Sequence, residues 1–156
     1  MKFLLFLLLT CGLNLEATIF NSKAIVHPEV GKNGMVVSQH YLATNVGHSI
    51  LADGGNAYDA SIAVAFALAV VLPRAGNIGG GGFIVMFDDA SQESFSIDYR
   101  EMAPEAATKD MFLSSDGSVD KKRATQGVLS IGVPGTVYGM WEVHKKFGSL
   151  PWSALL

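Results

Sequence analysis

The hydrophobic positions fall into blocks separated by glycine-rich turns, and each block has its own period. Gly34-Met35-Val36-Val37-Ser38 reads as a short strand, and Ser38 is placed to cap a helix running to about Ala52, with Leu42, Val46 and Ile50 on one face. Asp53-Gly54-Gly55-Asn56 stops that helix. From Ala57 to Leu72, Ile62, Phe66, Ala69 and Val70 keep helical spacing while Ala and Val fill nearly every other side. That pattern predicts a helix buried on most faces, ended by Pro73.

Beyond the tetraglycine Gly79-Gly80-Gly81-Gly82, every position from Phe83 to Phe87 is apolar, which predicts a strand covered on both faces. The polar stretch from Asp88 to Glu93 turns the chain. Ser94 to Tyr99 then alternates polar and apolar residues, the mark of a strand with one buried face, so the two strands are expected to pair as a hairpin. A short helix is expected over Ala106 to Leu113, a charged loop over Ser114 to Arg123, and a turn at Gly132-Val133-Pro134-Gly135-Thr136. The last helix runs from about Val137 to Phe147 and closes at Gly148, and Pro151 to Leu156 opens another apolar element. No internal repeat is present.

Composition narrows the partners. The chain has 156 residues, 49% of them apolar, enough for one ordinary domain or a piece of a larger one. A formal net charge of -3 with no basic block argues against nucleic acid as a partner. One cysteine, Cys11, excludes an internal disulfide framework and a thiolate-rich zinc site. Met1-Lys2 is followed by an apolar run from Phe3 to Leu9 that fades by Asn14 and Glu16, the layout of a secretory signal over residues 1–17, cleaved after Ala17. The run is shorter than the roughly 20 apolar residues of a bilayer span. An uncleaved membrane anchor, or a lipid on Cys11, is the alternative. Either places the protein outside the cytoplasm, secreted or periplasmic, with residues 18–33 as a leader into the domain. The closing stretch Trp152-Ser153-Ala154-Leu155-Leu156 lacks a polar tail, so residues 34–156 are expected to be a fragment of a larger protein.

Candidate chemistry is sparse. The tetraglycine lies in the order helix, glycines, strand, opposite to a dinucleotide fingerprint, and no P-loop lysine follows. Close approach of two layers is the favoured role, and no cofactor is expected. His27, His40, His48 and His144 are scattered, with His40 and His48 two helical turns apart, so no metal is expected and these read as solvated or core histidines. Asp88 and Asp89 read as turn acids. No serine motif of the G-x-S-x-G type occurs. Arg100 differs in kind: it ends a strand, flanked by Asp98 and Glu101, where a guanidinium can form a bidentate pair with a carboxylate. Spacing alone leaves open whether that carboxylate belongs to a substrate or to Asp98, Glu101 or another acid of the same fold.

Four stretches occur in one order: Gly54-Gly55-Asn56-Ala57 with Asp59-Ala60, Gly76-Asn77-Ile78-Gly79-Gly80-Gly81-Gly82-Phe83, Asp98-Tyr99-Arg100-Glu101-Met102-Ala103-Pro104, and Val133-Pro134-Gly135-Thr136. Together they resemble the amino-terminal part of the gamma-glutamyltranspeptidases, also called glutathione hydrolases, over about Gly34 to Leu156. The resemblance implies an α+β fold, the four-layer αββα sandwich of the N-terminal-nucleophile hydrolases, only partly present here. It implies a precursor that cuts itself into a large and a small subunit and frees a threonine nucleophile whose own amine serves as base. That threonine would take the gamma-glutamyl group of glutathione or a related donor and pass it to water, an amino acid or a peptide. The family's arginine for the donor alpha-carboxylate falls on Arg100. None of Thr10, Thr18, Thr44, Thr108, Thr125 or Thr136 stands in the family's threonine motif, so no catalytic residue is expected in this chain, which alone should be inactive. Two other readings stand beside this one: a truncated, noncatalytic exported relative, and a sister enzyme acting on other gamma-linked or N-acylated substrates.

Overall fold

The computed structural model describes residues 28–75 and 77–156. The expected signal, Cys11, His27, most of the expected leader and Gly76 lie outside the described residues. The fold below belongs to the unit Lys32–Leu156.

Helix α1 spans Tyr41–Ala52 and α2 spans Ala57–Val71. The first cap differs from expectation. The chain stays extended through His40, whose ring Nδ1 accepts the Leu42 N–H at 3.3 Å. Ser38 instead donates its hydroxyl to the His40 carbonyl at 2.9 Å and lies 2.8 Å from the Thr44 hydroxyl. Residues 34–38 find no ladder partner among the described residues and form no strand. At α2, Asn56 and Asp59 make a reciprocal capping box: Asn56 Oδ1 accepts the Asp59 N–H at 2.9 Å, and Asp59 accepts the Asn56 N–H at 3.0 Å. Burial of α2 is narrower than its composition predicts. Ala60, Ile62 and Ala63 are buried with Asp59, whereas Val70 is exposed. Alanines and valines mark a helix that neighbours can approach closely: Val64 packs on Gly47 of α1 and Ile62 and Ala63 enter the core, while Ala57, Ser61 and Val70 stay exposed among the described residues.

Strands β1 (Phe83–Asp88) and β2 (Glu93–Asp98) form the expected antiparallel hairpin, paired from Phe83 opposite Asp98 to Asp88 opposite Glu93. Its inner face carries Ile84, Met86, Phe95 and Ile97 into a core with Ile62 and Ala63 of α2 and, from the last long helix, Met140 and Val143. The outer face corrects the expectation of a strand covered on both sides. Phe83, Val85 and Phe87 are exposed, because the described residues pack helices against one side of the sheet only.

The expected helix over Ala106–Leu113 is a run of turns, with Ala107 N–H donating to the Pro104 carbonyl and Leu113 N–H to that of Asp110. A segment this short without an apolar stripe cannot offset helix nucleation. The expected charged loop instead holds a short helix α3, Lys121–Thr125, which Asp120 caps by accepting the Arg123 N–H at 3.0 Å. Helix α4 spans Thr136–Phe147 and ends at Gly148. A turn of 3-10 helix at Trp152–Ala154 follows, with Leu155 buried. Trp152 meets both Phe66 and Trp141 edge-on, tying α2 and α4 to the chain end. Helices on one face of an antiparallel sheet make the fold α+β, one helical layer and one sheet of the expected sandwich.

Candidate functional site

Three of the four sequence motifs meet at the end of β2. Past Asp98, the Tyr99 N–H donates to the Gly82 carbonyl at 2.9 Å, and two residues beyond Arg100, Met102 and Val133 exchange N–H bonds of 3.1 and 2.8 Å. Arg100 and Glu101 thus sit between two anchored backbone pairs. The Gly80 carbonyl accepts N–H bonds from Gly135 at 2.9 Å and Thr136 at 3.1 Å, and the Thr136 hydroxyl donates to the Asn77 carbonyl at 3.0 Å. The start of α4 is thereby fastened to the glycine loop.

The glycines make room for this crossing. A β-carbon on Gly81 would lie 2.8 Å from both Arg100 Cα and Glu101 N and would strike the Tyr99 carbonyl. One on Gly135 would strike the same carbonyl from the other side. Of the tetraglycine, Gly81 and Gly82 allow a close approach, to Tyr99–Glu101 of the adjoining strand end and not to a second layer, while Gly79 and Gly80 meet chiefly Asn77.

Arg100 itself is held at one edge. Its N–H donates to Asp98 Oδ1 at 2.9 Å, and its side-chain Nε donates to Glu101 Oε2 at 3.1 Å. The guanidinium carbon stands 5.7 Å from the centre of the Phe83 ring. Among the described residues the two Nη groups carry no protein hydrogen bond, and the side chain is 60% exposed. Of the acids the spacing offered, Glu101 takes Nε, and the Nη edge faces outward. Glu101 is ionised well into acid, because its own backbone N–H and then the Arg100 guanidinium hold its carboxyl below the usual range, with help from the Gly81 N–H. Burial pushes the Tyr99 phenol up. A cavity of about 310 Å³ opens beside Glu101, between Leu68 of α2, Arg74, Asn77 and Thr136.

The fourth motif lies elsewhere. Asn56 donates its side-chain amide to the Phe147 carbonyl at 2.7 Å, and Asp59 accepts N–H groups of Ser149 and Leu150, so this motif fastens α2 to the end of α4. The histidines take bland roles: His40 caps α1, His48 is exposed, and His144 Nε2 lies 2.8 Å from the Leu150 carbonyl. Asp88 is a turn acid, accepting the Ser91 N–H and hydroxyl, which hold its carboxyl below the usual range. Among the described residues no three His, Cys, Asp or Glu side chains gather as metal ligands, and no helix is long and apolar enough to cross a membrane. Nor is a hydroxyl paired with a base near Arg100: Thr125 and Thr136 donate to carbonyls, and Thr44 meets Ser38. What this surface offers is a planar, doubly donating cation edge suited to a carboxylate.

The sequence reading missed Phe83 as a neighbour of Arg100. The signal was available, since a hairpin that pairs Phe83 with Asp98 puts Arg100 diagonally across from the ring.

A family model for gamma-glutamyltranspeptidase matches residues 43–156. The glutathione hydrolase proenzyme of Pseudomonas aeruginosa is 50% identical over 123 residues, which are 79% of this chain and 22% of that protein. Among solved structures, Helicobacter pylori gamma-glutamyltranspeptidase superposes with a TM-score of 0.77 at 49% identity, covering 83% of this chain and 37% of that one. Gamma-glutamyltranspeptidase from Pseudomonas nitroreducens, complexed with L-DON, gives a TM-score of 0.75 at 47% identity over 81% of this chain and 37% of that one. The chain thus spans about a fifth of the length of the P. aeruginosa proenzyme, 22%. The motifs around Arg100, the fold and these likenesses agree: the chain belongs to the gamma-glutamyltranspeptidase family.

Proposed function

We propose that residues 34–156 are the amino-terminal part of the large subunit of a gamma-glutamyltranspeptidase, and that Arg100 binds the alpha-carboxylate of the gamma-glutamyl donor. The observation that carries this reading is the outward Nη edge of Arg100, set by three family motifs that converge on it, in a chain half identical to a glutathione hydrolase proenzyme. The whole protein transfers the gamma-glutamyl group of glutathione or a related donor to water, an amino acid or a peptide. The acyl-enzyme forms on a threonine supplied by the small subunit of the same precursor. None of the threonines of this chain stands in the family's threonine motif, so the chain by itself is inactive. The precursor is exported to the periplasm or the extracellular side by residues 1–17, either removed or kept as an anchor.

The test uses both lengths. The 156-residue chain alone is expected to release no anilide from a gamma-glutamyl anilide, and in the full-length protein Arg100→Lys is expected to raise the donor KM strongly with a smaller change in kcat. Hydrolysis by the chain alone would overturn its inactivity, and an unchanged KM in the Lys variant would return Arg100 to a structural role. Amino-terminal sequencing of the secreted protein, with a start at residue 18 expected, checks the export signal.

A further inference from the structure

We infer that Phe83 is a positioning residue for the donor site, holding the plane of the Arg100 guanidinium so that its Nη edge meets the donor alpha-carboxylate squarely. This rests on the reading of Arg100 as the donor clamp.

The argument begins with register. Phe83 pairs with Asp98, and residues two apart in an extended chain share a face, so Phe83, Asp98 and Arg100 stand together at one end of the hairpin. The Asp98 carboxylate holds the Arg100 backbone N–H at 2.9 Å, and Glu101 holds Nε at 3.1 Å. One bond at Nε leaves the flat group free to swing about that point. The Phe83 ring, 5.7 Å from Cζ, supplies the missing constraint, since a guanidinium is drawn to the face of an aromatic ring within about 6 Å. Among the described residues the ring packs against no part of the core. Its neighbours Ile84 and Met86 face the helices, whereas Phe83 is 63% exposed on the outer face of the hairpin. With Nε bonded and the plane fixed, the two Nη groups form one edge with the spacing of a carboxylate. The consequence is selectivity: the ring favours donors that carry an alpha-carboxylate and does nothing for donors that lack one.

The experiment compares two donors in the full-length protein, a gamma-glutamyl anilide and the 4-aminobutanoyl anilide, which differs only in lacking the alpha-carboxylate. Phe83→Leu is expected to raise the KM for the first about two- to fivefold while kcat holds, and to leave the second unchanged. Phe83→Tyr keeps the ring and should restore the wild-type KM. Phe87→Leu, on the same exposed face of the same strand but away from Arg100, should leave both donors unaffected. In an Arg100→Gln background Phe83→Leu should cost nothing further in kcat/KM, since the cation is gone. If Phe83→Leu does not accumulate, Phe83→Met, close in volume, carries the same comparison. Equal losses on both donors, equal effects of Phe83→Leu and Phe87→Leu, or an undiminished effect in the Gln background would overturn the inference. An Arg100→Gln variant that discriminates the donors while Phe83→Leu does not leaves the clamp standing and removes only the ring. An Arg100→Gln variant with unchanged donor KM removes both.

Discussion

Gly139 and Tyr99 are packed so closely that a β-carbon on the glycine would lie 2.6 Å from Tyr99 Cβ and 2.8 Å from Cδ1. Helix α4 can lie against the strand end only because position 139 has no side chain. Gly135, one turn earlier, does the same for the Tyr99 carbonyl, and Gly81 closes the other side. Tyr99 precedes Arg100, so the packing that admits α4 also sets the arginine.

Gly139→Ala is therefore expected to destabilise the protein despite the better helix propensity of alanine. Alanine in a helix gains about 1 kcal/mol over glycine, while overpacking beside a fixed Cβ costs about 1–3 kcal/mol. Tyr99 Cβ is attached to backbone held by Gly82, so it cannot rotate away. Gly135→Ala should be worse, since the obstacle is the Tyr99 carbonyl itself. Urea midpoints of the two variants check this; a midpoint at or above wild type for Gly139→Ala would show that α4 shifts freely.

How much of this was legible depends on the kind of signal. The hairpin, α2 with its stop at Pro73, and α4 with its stop at Gly148 follow from local periodicity and breakers, and the structure has them. The start of α1 was misplaced because Ser38 and His40 can both offer a cap, and the choice turns on where the backbone leaves the extended region, φ -141 at His40. The Ala106–Leu113 turns and α3 went wrong because neither segment has an apolar face to decide it. Glu101 was one of several acids in reach of Arg100. In the structure Glu101 takes Nε and Asp98 takes the backbone N–H, a division that residue spacing does not decide. The glycine seat of Tyr99 joins residues 81, 99, 135 and 139, and no local pattern links them.

Glu101→Gln tests the second constraint on Arg100. The amide oxygen can still accept from Nε, but the charge that draws the guanidinium is lost, so the donor KM should rise about two- to fivefold, less than for Arg100→Lys. The carboxyl is held below the usual glutamate range by its own N–H, Arg100 and Gly81. Its contribution to donor binding is therefore fully present above the ordinary glutamate pKa and fades as pH falls through the lower value. The ratio of variant to wild-type KM should stay constant from pH 8 to about pH 5. A ratio that collapses already near pH 6 would mean that some other group holds Nε.

The outer face of the hairpin predicts the behaviour of the isolated chain. Phe83, Val85 and Phe87 are 63%, 80% and 58% exposed in one row, beside two strand edges that have no further strand paired to them among the described residues. Expressed alone, residues 28–156 should self-associate in a concentration-dependent way, and Val85→Lys, at the centre of the row, should reduce it markedly. Sedimentation velocity across a hundredfold concentration range reads this directly, and a monomer throughout would mean that the row is not sticky.

Asp59 supplies the last prediction. It is fully buried at the start of α2, yet its oxygens accept N–H bonds from Asn56 at 3.0 Å, Ser149 at 3.1 Å and Leu150 at 3.3 Å, and the Ser149 hydroxyl at 2.5 Å. Burial pushes the carboxyl up, but the Ser149 hydroxyl and the three backbone donors outweigh it and hold the group below the usual aspartate range. The chain segment after α4 is thus tied to α2 by one charge. Asp59→Asn turns a four-fold acceptor into a group with two donors of its own facing those N–H groups, and should cost about 2–3 kcal/mol at neutral pH. The sign of the pH dependence follows from the depressed value. The stabilisation is complete above the unfolded pKa of about 3.9 and is lost as pH falls through the lower folded one, so wild type and variant should converge in acid. Thermal unfolding at pH 7 and near pH 3 measures both gaps, and a gap of unchanged size at the lower pH would mean that shape rather than charge fastens α2 to the end of α4.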